Sequence, residues 1–376
     1  MKLHRKIGLI LAGLLAVGIA IYMLVPARVD TSADTRPVIK IGATLPLSGN
    51  FAFVGNANKK ALEMQLAHET KHPLKYRYEL VFENNESGTA KTATAVKKLI
   101  AIDKVRAIIS NWNMYGAVVA SAANPAHILN MSCSWEDESL RGPYTYNMVS
   151  THEQMADLLI RELKKHGVRN VGIIADNTSD TVIKTVVKQL DSAGIKIVLR
   201  EKVTEGQIDF MNEVAKGIKA NPDMYITMGT TPLAYMFVKR LYEATGKKNV
   251  TTIDGFVESP DDQRPMFEGM WYIDSNVDGN EQFAADLLRE KNTIVQSCAG
   301  NSAANLQILI RAFESAPLRD GNDTPTNEDV NEYIKNNTKD IETVAAGRAT
   351  LIRDGIIEVQ PFVKIIKNGK PVFIKE

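Results

Sequence analysis

The chain has 376 residues, a formal net charge of +1, 44% hydrophobic and 24% charged residues, the profile of a globular protein with room for about two domains. Near-neutral charge gives no electrostatic case for nucleic acid. Two cysteines, Cys133 and Cys298, without a CxxC or a His-Cys cluster, argue against a thiolate metal site; they read either as buried small hydrophobes or as one disulfide in an oxidising compartment.

In chain order, Lys2, His4, Arg5 and Lys6 precede an uninterrupted apolar run from Ile7 to Val25. Basic residues before such a run hold that end inside and send the remainder across the membrane. Its length lies between a long signal segment and a spanning helix. Small-residue patterns at Val25-Pro26-Ala27 and Thr31-Ser32-Ala33 offer cleavage sites, so a cleaved leader and an uncleaved anchor both stand. Residues 28–37 form a polar tether.

Val38–Leu45 is an apolar, β-branched strand stopped at Pro46. Ser48-Gly49-Asn50 is a turn, Phe51–Val54 an apolar tongue, and a helical pattern opens after Gly55-Asn56. Strands and helices then alternate: strands at 76–82, 106–110, 128–131 and 144–149, helices at 89–102 and 116–127. The pattern starts again with helices at 151–165, 181–193, 210–220 and 232–245, and strands at 170–175, 196–200, 224–228 and 250–253. Two such runs predict two doubly wound parallel-sheet α/β lobes with a ligand cleft between them.

Five stretches carry a family resemblance: IKIGATLPLSGNFAFVGN, VFENNESGTAKTATAVKKLI, VGIIADNTSDTVIKTVVKQLDSAGIKIV, DFMNEVAKGIKANPDMYITMG and IIEVQPFVKIIKNGKPV. In that order they resemble the branched-chain amino-acid-binding family of type I periplasmic solute-binding proteins, from about residue 38 to the end. The resemblance implies a three-strand hinge, with residues 1–27 a signal peptide or membrane anchor. Lobe one would hold 38–149 and 275–350, and lobe two 150–274 and 351–376. It places Cys133 and Cys298 in one lobe, where a disulfide is open to them. It also implies hinge closure on a solute, an extracytoplasmic location, a monomer, an ABC-type permease as partner and no cofactor.

The same resemblance points to ligand positions. In lobe one these are Ser48 and Phe53 in the first loop, Asn113 and Tyr115 before Gly116, and Ser132, Ser134, Trp135 and Glu136 after the fourth strand. Tyr115 stands where relatives commonly have a small hydroxyl residue, and Glu136 replaces a usual Thr; a carboxylate there would repel a ligand carboxylate and favour a cation or neutral donor. In lobe two the positions are Asp180, in place of a usual Tyr, then Gly229, Thr230 and Glu258, which lies one residue beyond the family's ammonium-pairing Glu. Asp176, Asp180 and Asp209 also suit helix N-caps, and Trp112, Tyr115 and Trp135 could simply pack the lobe.

An enzyme is the rival class. His4, His68, His72, His127, His152 and His166 lie in the leader, on helices or at helix ends, and no GxSxG, GxxxxGK[ST] or strand-linked GxGxxG occurs. Binding without catalysis is therefore expected, of a small polar solute such as an amino acid, amide or related compound. The alternative is a membrane-anchored sensory domain without a transport role.

Overall fold

The structure, a computed structural model, describes residues 34–229, 232–275 and 279–374. The expected leader (1–27) and most of the tether lie outside the described residues. No helix among the described residues is long and apolar enough to cross a membrane. The chain divides into a unit ending at Pro37 and a second from Val38 to Glu376.

In the second unit, the strands β1 (Val38–Leu45), β2 (Arg77–Asn84), β3 (Ala107–Asn111), β4 (Leu129–Cys133) and β5 (Thr145–Val149) alternate with helices α1 (Ala52–Glu69), α2 (Thr89–Ala101) and α3 (Asn113–Ala123). β3, β4 and β5 are buried along their whole lengths, as expected of parallel strands covered on both faces. The next run holds α4 (His152–Lys165), β6 (Asn170–Asp176), α5 (Asp180–Ser192), β7 (Lys196–Val203), α6 (Met211–Ala220), β8 (Met224–Met228), α7 (Leu233–Thr245), β9 (Val250–Thr252) and β10 (Trp271–Asp274). After it come α8 (Glu281–Lys291), α9 (Ala299–Ser315), α10 (Asn327–Asn337), β11 (Ile341–Thr343), β12 (Gly347–Arg353), β13 (Ile356–Glu358), β14 (Phe362–Lys367) and β15 (Lys370–Phe373).

These strands form an eight-stranded sheet, β11-β12-β13-β5-β4-β3-β1-β2, and a four-stranded sheet, β7-β6-β8-β9. A single parallel bridge from Ile253 to Ile273 joins the smaller sheet to the antiparallel set β10-β14-β15. Each sheet organises one lobe. One apolar core packs β1, β3, β4 and β5 against α9 around Ile41, Ile109, Met131 and Leu309; another packs β6 and β8 against α4 and α5 around Leu159, Ile173, Val186 and Ile226.

The chain crosses between lobes three times, and the crossings lie side by side. The Ser150 hydroxyl donates to the Ser275 carbonyl at 2.9 Å, and the Val359 N–H to the Val149 carbonyl at 3.3 Å. At the first crossing a capping box starts α4: Thr151 Oγ1 accepts from the Gln154 N–H, and the Gln154 side chain accepts from the Thr151 N–H. The third crossing falls later than the expected 350/351 boundary. β12 continues to Arg353 and β13 pairs in parallel with β5, so the larger sheet keeps the chain through Glu358.

The start of α1 also differs from expectation. Phe53, Val54 and Gly55 are helical rather than loop. Gly55 sits against the Pro46 carbonyl, where a Cβ would overlap the backbone, so the missing side chain lets the helix begin directly over the strand end.

Candidate functional site

Between the two sheets lies a cavity of about 330 Å³. Its walls are loops at the carboxyl ends of parallel strands, where open α/β sheets present ligand sites. The larger lobe contributes Phe51 before α1, Trp112, Asn113 and Met114 at the start of α3, Cys133 to Trp135 and Asp137 after β4, and Ser297 and Cys298 before α9. The smaller lobe contributes Asn177, Thr178 and Thr181 after β6, Glu205 after β7, Gly229 after β8, and Asp254 and Glu258 after β9.

Of the residues expected at the site, Asn113, Ser134, Trp135, Gly229 and Glu258 line this cavity; Thr230 lies outside the described residues. Ser48 is exposed and accepts from the Asn84 amide at 2.8 Å. Phe53 is half-buried on α1, and Phe51, two residues earlier, lines the cavity instead. Ser132 is buried beneath the wall, with its hydroxyl 2.8 Å from that of Ser134. Asp180 opens α5 and pairs with Lys202 at 2.7 Å on the surface.

Two corrections alter the expected chemistry. Tyr115 is fully buried, stacks behind Trp112 with ring centroids 6.0 Å apart and lacks a hydrogen-bond partner for its hydroxyl. Burial pushes its phenol up to about 12. It is a packing residue, because the turn into α3 points Trp112 rather than Tyr115 at the cavity. Glu136 faces the hinge instead of a ligand: it accepts from the His152 N–H at 3.0 Å and pairs with Arg353 at 2.9 Å. A carboxylate beside the free N–H groups of α4 is favourable on its own account.

The lobes touch across the cavity through polar atoms. The Trp135 indole N–H donates to Asp254 Oδ2 at 3.1 Å. The Trp112 indole N–H donates to Ser297 Oγ at 3.3 Å, and the Ser297 hydroxyl bonds Glu258. Phe51 meets Trp112 edge-on at 4.9 Å. Aromatic surface thus comes from the larger lobe and most of the carboxylate from the smaller one.

The tight turn after β9 explains why Glu258, and not Val257, faces the cavity. Asp254 has φ +57°, and its carbonyl accepts from the N–H groups of both Val257 and Glu258. Val257 is thereby turned into the core, where it is fully buried. Trp112 (φ +58°) and Cys298 (φ +67°) share this left-handed region. Non-glycine residues held there cost on the order of 1–3 kcal/mol each and gather at ligand sites.

Electrostatically the cavity is acidic. Burial, and then the neighbouring Asp274, raise Asp254 to about 7, partly offset by hydrogen bonds from Ser275 and Trp135. Burial, with Asp254 and Asp176 adding to it, raises Glu258 to about 8, partly offset by Ser297. Burial also pushes Asp137 up, but hydrogen bonds from Ser139 and Asn113 outweigh it and hold this carboxyl below its usual range. The described residues contain no cluster of His, Cys, Asp and Glu suited to a metal ion.

Cys133 and Cys298 form a disulfide with Cα atoms 5.8 Å apart, tying the end of β4 to the start of α9 within the larger lobe. Both cysteines line the cavity. The sequence contained Phe51, Asp137, Glu205 and Ser297 without a pattern to mark them, because each reaches the cavity through a loop whose course depends on the assembled lobes. Asp254 lies two residues beyond β9, and an acidic residue so close to a strand end is the signal that could have found it.

The family described as periplasmic binding protein matches residues 38–360. No curated protein sequence matches the chain. Among solved structures, a leucine binding protein of Thermotoga maritima is similar with a TM-score of 0.76 at 19% identity, covering 90% of this chain and 98% of that one. A branched-chain amino acid transporter substrate binding protein of Streptococcus pneumoniae, in complex with isoleucine, is similar with a TM-score of 0.76 at 19% identity over 89% of this chain and 97% of that one. A solute binding protein of an ABC transporter from Rhodopseudomonas palustris, in complex with benzoate, has a TM-score of 0.75 at 16% identity over 90% and 95%. With its two parallel-sheet lobes, three crossings and a family match over most of its length, the chain belongs to the periplasmic binding protein family.

Proposed function

We propose that the protein captures a small polar solute outside the cytoplasm and presents its closed form to an ABC-type permease, acting as a monomer without catalysing a reaction. The observation that carries this reading is the cavity between lobes joined by three adjacent crossings, bridged by the bond from Trp135 to Asp254. A solute touching both walls binds the closed arrangement better than the open one and shifts the population toward it.

The solutes named with the similar structures, leucine, isoleucine and benzoate, are of a size that suits about 330 Å³. The disulfide and the basic-then-apolar N-terminus both favour an extracytoplasmic location. Small-angle scattering of the chain with a solute found by screening tests the hinge. A smaller radius of gyration on saturation is expected, and Trp135→Phe, which removes the bridging donor, should reduce the compaction. Unchanged scattering at saturation would exclude closure as the mechanism.

A further inference from the structure

The cavity's charge and its apolar surface are sorted onto opposite walls. Asp254, Glu258 and Glu205 stand on the smaller lobe, and Phe51, Trp112 and Trp135 on the larger one. No Lys or Arg occurs among the described lining residues. Two buried cations are committed elsewhere: Arg264 to Gln296 at 2.6 Å and Asp261 at 3.2 Å, and Lys364 to Asp274.

The feature that would welcome an anion is already answered by the protein. Helix α3 points its first residues, Asn113 and Met114, at the cavity, and free N–H groups at a helix start attract negative charge. Asp137 lines the same cavity and lies 3.4 Å from the Asn113 side-chain amide, so a fixed carboxylate stands beside that helix start. A ligand carboxylate would meet it as a like charge. A cation would instead find on one wall the carboxyls of Asp254 and Glu258, which ionise as it binds, and aromatic faces on the other, both of which attract it.

We propose that the solute is an organic cation, a protonated amine or quaternary ammonium group carried on an apolar body, with the charge at Glu258 and Asp254 and the body against Trp112, Phe51 and Trp135. This rests on the reading of the cavity as the solute site. A cation held between the carboxylates of one lobe and the rings of the other draws the two together, so recognition and closure use the same contacts.

The test is calorimetric titration of the full-length chain with probes of one shape and different charge: benzylamine, benzyltrimethylammonium, benzyl alcohol, benzoate and isoleucine. At least one of the two cations should bind tenfold or more tightly than benzyl alcohol, with benzoate weakest. Glu258→Gln should weaken the cation at least tenfold and benzyl alcohol less than twofold, and Glu205→Gln, at the exposed rim, should give a smaller loss of the same sign. Tighter binding of benzoate or isoleucine than of either cation overturns the cation assignment and leaves the solute-binding reading standing. Absence of cation binding at millimolar concentration also overturns it, whereas failure of the solute-binding reading shows separately, as no saturable ligand of any charge.

Discussion

Replacing Glu258 by Gln in the solute-free protein should change stability in a way that depends on pH. Burial and the facing carboxyls of Asp254 and Asp176 move Glu258 from 4.5 to about 8. That difference corresponds to about 4–5 kcal/mol between its protonation states. Because the folded value is raised, the stabilisation is fully present below the ordinary value and is lost as pH rises through about 8. The side chain opens onto the cavity, where water screens part of the penalty, so about 2 kcal/mol is expected to survive. The substituted amide stays neutral throughout and can still accept from Ser297. The Glu258→Gln variant should therefore match the wild type within about 0.5 kcal/mol at pH 5 and exceed it by about 2 kcal/mol at pH 9, roughly 3 °C in melting temperature. Thermal melts at pH 5, 7 and 9 provide the assay. A difference between variant and wild type that is the same at all three pH values would refute the reasoning.

Other perturbations separate structure from recognition. Serine at both Cys133 and Cys298 should cost about 3–5 kcal/mol in urea unfolding, since the disulfide closes a sequence separation of 165 residues; a loss below about 1 kcal/mol would contradict its constraining role. Tyr115→Phe should be neutral within about 1 kcal/mol because the hydroxyl has no partner, and Tyr115→Ala should cost about 3–5 kcal/mol. Weaker solute binding by Tyr115→Ala with unchanged melting temperature would return this residue to the site. Glu136→Gln should lose at most about 1 kcal/mol, from its pairing with Arg353 and the His152 N–H, and leave solute affinity within twofold; a tenfold drop in affinity would contradict its placement at the hinge.

The fold was legible because its signals are local and repeated. Apolar runs such as Met224–Met228 and Thr-started or Gly-ended helices such as Thr89–Ala101 and Leu233–Thr245 mark their own limits. The C-terminal third was less so. α8 and α10 are short and polar on most faces, and the third crossing was misplaced because β12 and β13 look like a simple hairpin until β5 is present to pair with.

The site was legible at strand ends but not in register. Asn113, Ser134, Trp135, Gly229 and Glu258 follow strands whose ends the sequence marks. Tyr115, Phe53 and Glu136 stand three, two and one residues from Trp112, Phe51 and Trp135, which line the cavity, and the cause is backbone conformation. The positive φ of Trp112 turns that ring to the cavity with Tyr115 packed behind it, and the early start of α1 over Gly55 leaves Phe51, not Phe53, at the cavity. Neither conformation is announced by residue type.

The most direct measurement is a thermal-shift screen of the full-length chain against amines, amino acids, amides and aromatic acids. At least one small solute should raise the melting temperature saturably, with about 2.7 kcal/mol of added stability at 100 times its dissociation constant. That shift should come with altered emission, because two of the three tryptophans, Trp112 and Trp135, line the cavity. A folded protein that gives neither a saturable shift nor an emission change with any solute of any charge would contradict the claim that this cleft captures a small molecule.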